Sequence, residues 1–259
     1  MQANRNGMTA APAWLPMINT VGFIVMIAMN ALAQFLPLAG KTTGELSDRY
    51  PVLLTPPGYV FSIWSVIYIL LAGYIIYGWT RAGAVNPSAG RIGLLFASSA
   101  LLNSAWIAVW HYELLALSVL VMLALLAVLI VIYSRVQQNR GTGASAGETL
   151  LVQLPFSLYL GWITVATLVN ITVYLYDLGW DGFGWGDRAW LLIGIAVAAA
   201  VGIAVGTVYR EPFIGLPGAW ALSGVAMKAG IPEAAVTAAW LCAALLLLSC
   251  LIQAWRRWR

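Results

Sequence analysis

Charge is what this sequence has least of. Only 8% of its 259 residues are Asp, Glu, Lys or Arg, 62% are hydrophobic, and mean hydropathy is +0.87. That leaves too little polar surface to solvate a globule of this length, so the chain reads as an all-α integral membrane protein. Histidine occurs once, at His111, which excludes bis-histidine haem ligation within the chain; its position suits a turn. Cysteine occurs twice, at Cys242 and Cys250 in one apolar run, so neither a disulfide framework nor a metal pair is expected. No charged residue falls near the middle of any apolar run, where pumps and proton-coupled carriers bury one. A phosphate loop and an HExxH are missing, as is any Ser/His/Asp set that a single turn-borne histidine could complete. Ion-driven transport and hydrolysis are therefore disfavoured.

What is present is apolar length. Runs of about 20 residues, enough to cross a bilayer, occupy roughly 14–37, 57–80, 91–110, 113–135, 150–176, 189–209, 214–229 and 233–254. The sequence thus predicts a polytopic bundle of about eight transmembrane helices. The seventh run is the shortest and carries Pro217 with several glycines, so a re-entrant segment also fits it. The first run is too long for a cleavable signal and is expected to stay in the mature protein. Eight crossings put both termini on one side, together with nine of the thirteen basic residues, among them Arg5, Arg140 and Arg259. The other side keeps Lys41, Arg49, Arg188 and Lys228. By the positive-inside rule both termini are cytoplasmic, in what is expected to be a bacterial cell membrane. The net charge of +4 is then a topology signal; no basic patch with interleaved aromatics points to nucleic acid. The closing WRRWR suits a membrane-surface anchor.

Polar and aromatic residues recur on shared helix faces. In TPPGYVFSIWSVIY, residues 55–68, Pro56 and Pro57 suit a helix start near Pro57, and Phe61, Trp64 and Tyr68 then fall on one face. Asn103, Trp106 and Trp110 share a face in the third run, as do Tyr159, Trp162, Ala166 and Asn170 in the fifth, and Asn30 and Gln34 lie one turn apart in the first. Two readings fit that spacing equally. Buried amides can bond one another across helices as a bundle core. Flat aromatics with a few uncharged amides can also line a cavity for a large planar ligand.

Three motifs resemble the translocator protein family, also called the tryptophan-rich sensory proteins (TspO/MBR). They are Pro56-Pro-Gly-Tyr-Val-Phe61 followed by Trp64 and Tyr68; Asn103-x-Ala-Trp106; and Pro155 with Trp162, Ala166, Thr167 and Asn170. The resemblance covers about residues 14–177, and one residue is missing between Pro57 and Trp64 relative to the usual pattern. It implies a five-helix ligand-binding bundle over 1–180, with a pocket formed by Trp64, Tyr68, Asn103, Trp106, Trp162 and Ala166; the shared faces add Asn30 and Asn170. The implied ligand is a porphyrin, a haem-like tetrapyrrole or another flat hydrophobic molecule, with no resident cofactor required. Binding for sensing, storage or delivery is the leading function; a tetrapyrrole-degrading enzyme and a passive carrier or partner of another membrane complex are the alternatives.

Two features depart from the family. Tyr174 and Tyr176 are followed by Asp177 without a nearby base, so no sterol motif is expected at the end of the fifth helix. Residues 181–259 form an additional appendage of three helices, whose Gly194, Ala198, Gly202 and Gly206 make a small-residue stripe for internal packing or for a homodimer contact. Finally, the connection from Leu38 to Thr55 is longer than antiparallel neighbours require. Its charges, Asp48 and Arg49, and its apolar patch around Leu53 suit a lid over the pocket.

Overall fold

The computed structural model describes residues 12–36, 38–138 and 145–259; Arg5 and Arg140 of the charge count lie outside them. Each predicted apolar run contains one main helix: α1 (Trp14–Phe35), α2 (Ile63–Gly78), α3 (Leu95–His111), α4 (Leu115–Gln138), α5 (Leu154–Asp177), α6 (Asp187–Tyr209), α7 (Leu216–Ala226) and α8 (Glu233–Trp258). Among the described residues six helices are long and apolar enough to cross a membrane, α2 being counted with the turn before it. Helix α3, at 17 residues, falls just short of that length.

Helix α7 falls far short, with 11 residues. At 1.5 Å per residue it covers about 16 Å, near half the hydrocarbon thickness. Pro217 sits in its first turn, and residues 211–215 approach it without helix. That approach is tolerated because its amides are satisfied within the protein: the Glu211 carboxylate accepts from the backbone N–H of Phe213 at 3.0 Å and of Ile214 at 2.8 Å. The segment still connects both ends of the bundle. Glu211 pairs with Arg257 near the end of α8, and Lys228 meets the 52–55 loop at the opposite end. We call the latter the lid end.

Helix α2 does not start as an α-helix at Pro57. Gly58–Ser62 is wound as a 3-10 turn and the α-helix begins at Ile63. A 3-10 turn rises about 2 Å per residue, so these five residues cover the length of six or seven α-helical ones. The shortened motif thereby spans the length of one or two more α-helical residues.

Helices α1 to α5 enclose one apolar core, which holds Trp64, Trp106, Tyr159 and Trp162; a second, containing Leu54, Ile195, Leu222, Ala239 and Leu246, lies among α6, α7 and α8. Two glycines let α7 join them. A Cβ on Gly161 would stand 2.4 Å from the Ile214 carbonyl oxygen, and one on Gly224 would stand 2.3 Å from Val60 Cγ2. The stripe on α6 is filled from within the chain: Gly194 faces Leu54, Gly202 faces Leu246, and Gly206 faces Glu211 and Ile214. The tail also differs from a plain surface anchor. Arg259 lies over the Trp255 ring at 3.8 Å, but Arg257 turns inward to Gln153 and to Glu211, the latter pair at 3.8 Å. Glu148 extends this network, accepting from Gln153 at 3.5 Å and from Ser88 at 2.7 Å.

A four-tryptophan cavity as the candidate functional site

Packing of α2, α3 and α5 brings four indoles to one place. Trp64 meets Trp162 edge-on at 6.1 Å and Phe61 meets Trp162 edge-on at 5.9 Å, while Trp106 and Trp110 stack at 5.8 Å. All four tryptophans line a cavity of about 20 Å³, which Phe61, Ala166 and Asn170 help to close. That volume holds one water molecule and no organic ligand. No side chain lining it carries a charge.

A polar chain supports the wall. Asn30 Nδ2 donates to the Met26 carbonyl at 2.9 Å and to Asn103 Oδ1 at 2.8 Å, and Asn103 Nδ2 donates to the Tyr159 hydroxyl at 3.2 Å. Trp106 Nε1 donates to Asn170 Oδ1 at 3.1 Å, and Asn170 Nδ2 to Ser118 Oγ at 2.9 Å. The hydrogen-bonded core of the first reading is present in these contacts, whereas the space lined by the aromatics is far smaller than the large planar ligand of the second. Of the predicted residues, Trp64, Trp106, Trp162, Ala166 and Asn170 line the cavity. Tyr68 stands behind it, its ring stacked on Trp64 at 5.2 Å, and Asn103 and Asn30 stand farther back in the polar chain. The lining also includes Ser47, Pro56, Phe61 and Trp110. The shared faces carried the signal for Phe61 and Trp110; Ser47 and Pro56 reach the site only through the loop fold.

The other three indoles differ from Trp106. Nε1 of Trp64, of Trp110 and of Trp162 is buried and has no hydrogen-bond partner among the described residues. A buried donor left unmade costs about 1–3 kcal/mol; Ser47 Oγ on the same lining is likewise buried without a partner among the described residues, as are Asn19 Oδ1 and His111 Nε2 elsewhere in the bundle.

Above the cavity the loop folds into a short helix, Thr43–Asp48, closed at its start by a capping box between Thr42 and Glu45. Ser47 of this helix reaches the cavity. Arg49 anchors its end to the α3–α4 turn, donating to Glu113 at 2.8 Å, with the Tyr50 hydroxyl at 3.2 Å and Lys41 at 3.5 Å from the same carboxylate. Burial and the Glu113 charge push the Tyr50 hydroxyl up to about 12. For Glu113, burial works to raise the carboxyl, but Tyr50, Arg49 and Lys41 outweigh it and hold it below its ordinary value. Asp48 lies beside Gly58, where an added Cβ would come within 3.0 Å of its Oδ2. Leu53 is elsewhere. It walls a separate cleft with Leu54, because Leu54 is buried against Gly194 and draws the apolar patch toward α6.

A family model described as TSPO-like protein matches residues 16–252. The chain belongs to the TSPO-like family. The match runs through α6, α7 and nearly all of α8, well past Asp177, where the motif resemblance ended. No curated protein and no solved structure matches the chain. Family and helices together make this TSPO-like chain an all-α polytopic integral membrane protein.

Proposed function

We propose that this TSPO-like protein is a membrane binding protein for porphyrin-like or other flat hydrophobic molecules that carry hydrogen-bond acceptors, serving sensing, storage or delivery. The observation that carries the reading is the set of three unpartnered indole N–H groups around an uncharged aromatic cavity. Aromatic faces suit a planar apolar body, and the orphan donors suit ring nitrogens or carboxylate edges. A tetrapyrrole is then a ligand and not a resident cofactor. In this reading residues 1–180 form the ligand-binding bundle, 181–259 the appendage that braces it, and the anchored loop helix is the lid whose movement lets the collapsed cavity widen. Both termini face the cytoplasm of a bacterial cell, following the excess of basic residues at their end.

Titration of nanodisc-embedded protein with protoporphyrin IX, followed by tryptophan quenching, tests the proposal. Trp64→Leu and Trp162→Leu are each expected to weaken binding at least tenfold while the protein stays monodisperse and helical. Folded variants that bind as the parent does would remove the cavity from the account.

A further inference from the structure

The four-tryptophan site is not the roomiest space in the protein. A cleft of about 320 Å³ lies between α5 and α6, walled on its third side by Pro51 to Leu54. That volume falls at the lower end of small-molecule sites, whereas the tryptophan cavity holds about 20 Å³. Trp180, Trp190 and Asp187 stand at the lid end of the cleft and Val197 at its deep end. From Asp187 to Val197 along α6 is ten residues, about 15 Å of rise, roughly one leaflet of hydrocarbon. Its mouth lies at the protein surface, with Tyr176 51% and Val197 39% exposed. The rim is built and not loose: Trp190 Nε1 donates to the Gly182 carbonyl at 2.8 Å and its ring stacks on Trp185 at 5.6 Å.

The cleft also leads inward. Leu54, Leu168 and Gly194 belong at once to the cleft and to a void of about 10 Å³ behind it. Pro56, Val165 and Val169 belong at once to that void and to the tryptophan cavity. Three spaces therefore adjoin in turn, and the residues that each pair shares are apolar.

We propose that the cleft between α5 and α6 is a second binding site, a vestibule in which a flat apolar aromatic molecule arriving from the bilayer rests before passing Leu54 and Leu168 into the tryptophan cavity. The ligand class and destination rest on the function proposed above; the vestibule itself rests on the cleft. Because α6 supplies one wall, residues 181–259 contribute a ligand route as well as a brace. The route runs laterally, below the Arg49–Glu113 anchor, so traffic through it leaves that anchor closed.

A photolabel separates the parts of this proposal. Full-length protein in nanodiscs is incubated with 1-azidopyrene, a flat apolar aromatic, illuminated after increasing delays, and mapped by peptide mass spectrometry. In the parent, label is expected first in the peptides of 168–176 and 187–197 and later at 61–64, 106–110 and 162–166. Plugging the passage with Leu168→Trp is expected to slow labelling around Trp106 and Trp110 at least tenfold while label still appears at 187–197. Filling the vestibule with Leu175→Trp is expected to cut the 187–197 label at least tenfold. Leu168→Phe and Thr172→Trp provide the same two obstructions if either variant fails to fold. Labelling of the cleft no stronger than at the exposed positions Ile69 and Leu120 would overturn the vestibule. Labelling around Trp106 that is as fast in Leu168→Trp as in the parent would overturn the route. Cleft label with none at the tryptophans in any sample would leave the second site standing and sink the tryptophan cavity as a binding site.

Discussion

Asn103 and Trp110 make opposite predictions at one site. Asn103 accepts from Asn30 and donates to Tyr159, all within the bundle core. Asn103→Ala leaves the Tyr159 hydroxyl without its donor and Asn30 with only its bond to the Met26 carbonyl, and a buried group left unpaired costs about 1–3 kcal/mol. Thermal unfolding in detergent should show a clear loss of stability. Trp110→Phe instead removes a donor that has no partner, together with part of a ring's packing. Those effects oppose each other, and stability should stay within about 1.5 kcal/mol of the parent. Protoporphyrin affinity should nonetheless fall several-fold, because the lost N–H is one the ligand would satisfy. An equal loss of stability in the two variants would mean that the orphan donors have partners in the folded protein.

Among the elements, the loop helix Thr43–Asp48 and α7 separate what the sequence makes legible from what it hides. Glu113 holds the end of the Thr43–Asp48 helix through Arg49, Tyr50 and Lys41, and its carboxyl lies below the ordinary 4.5. The folded state therefore binds that proton less tightly than the unfolded state, so the anchor contributes fully above about pH 4.5 and is lost as the pH falls through the lower folded value. The carboxylate is partly exposed, and solvent screening limits the effect to about 1 kcal/mol or less. Protease cleavage within 40–50 should speed up more steeply with falling pH in the parent than in Glu113→Gln, which keeps the Glu45 capping carboxylate in this loop helix; identical acid limbs in the two would exclude the anchor. Helix positions and the aromatic faces are legible because apolar length and helical spacing are local properties of the chain. The half-length of α7 is partly so, through Pro217. The direction of Leu53 is not, because it follows from Leu54 fitting against Gly194, about 140 residues away in the chain. Nor is the inward turn of Arg257, which depends on the buried Glu211 that the non-helical approach to α7 brings to it.

On the scale of the whole molecule, α7 joins the two apolar cores along one helical face. Trp220, Gly224 and Lys228 follow one another at four-residue steps: Trp220 Nε1 donates to the Val60 carbonyl at 2.9 Å, Gly224 lies against Val60, and Lys228 Nζ donates to the carbonyls of Val52 at 2.9 Å and Thr55 at 3.0 Å. Gly224→Leu places a side chain where Val60 already is and should cost about 1–3 kcal/mol. At the other end, Arg257→Ala removes a partner from the fully buried Glu211 side chain and should cost about 3–5 kcal/mol, far more than the same change at Arg256. Similar losses at both arginines would show that the tail is only a surface anchor. The central claim is that a flat ligand occupies the four-tryptophan cavity and takes up its orphan donors. Its most direct measurement is an NMR titration of indole-¹⁵N-labelled protein with protoporphyrin IX, with resonances assigned by single Trp→Phe variants. The account predicts downfield shifts of the Trp64, Trp110 and Trp162 N–H signals at saturation, with Trp106 little changed because Asn170 already holds it. Saturable binding that leaves those three signals in place would contradict it.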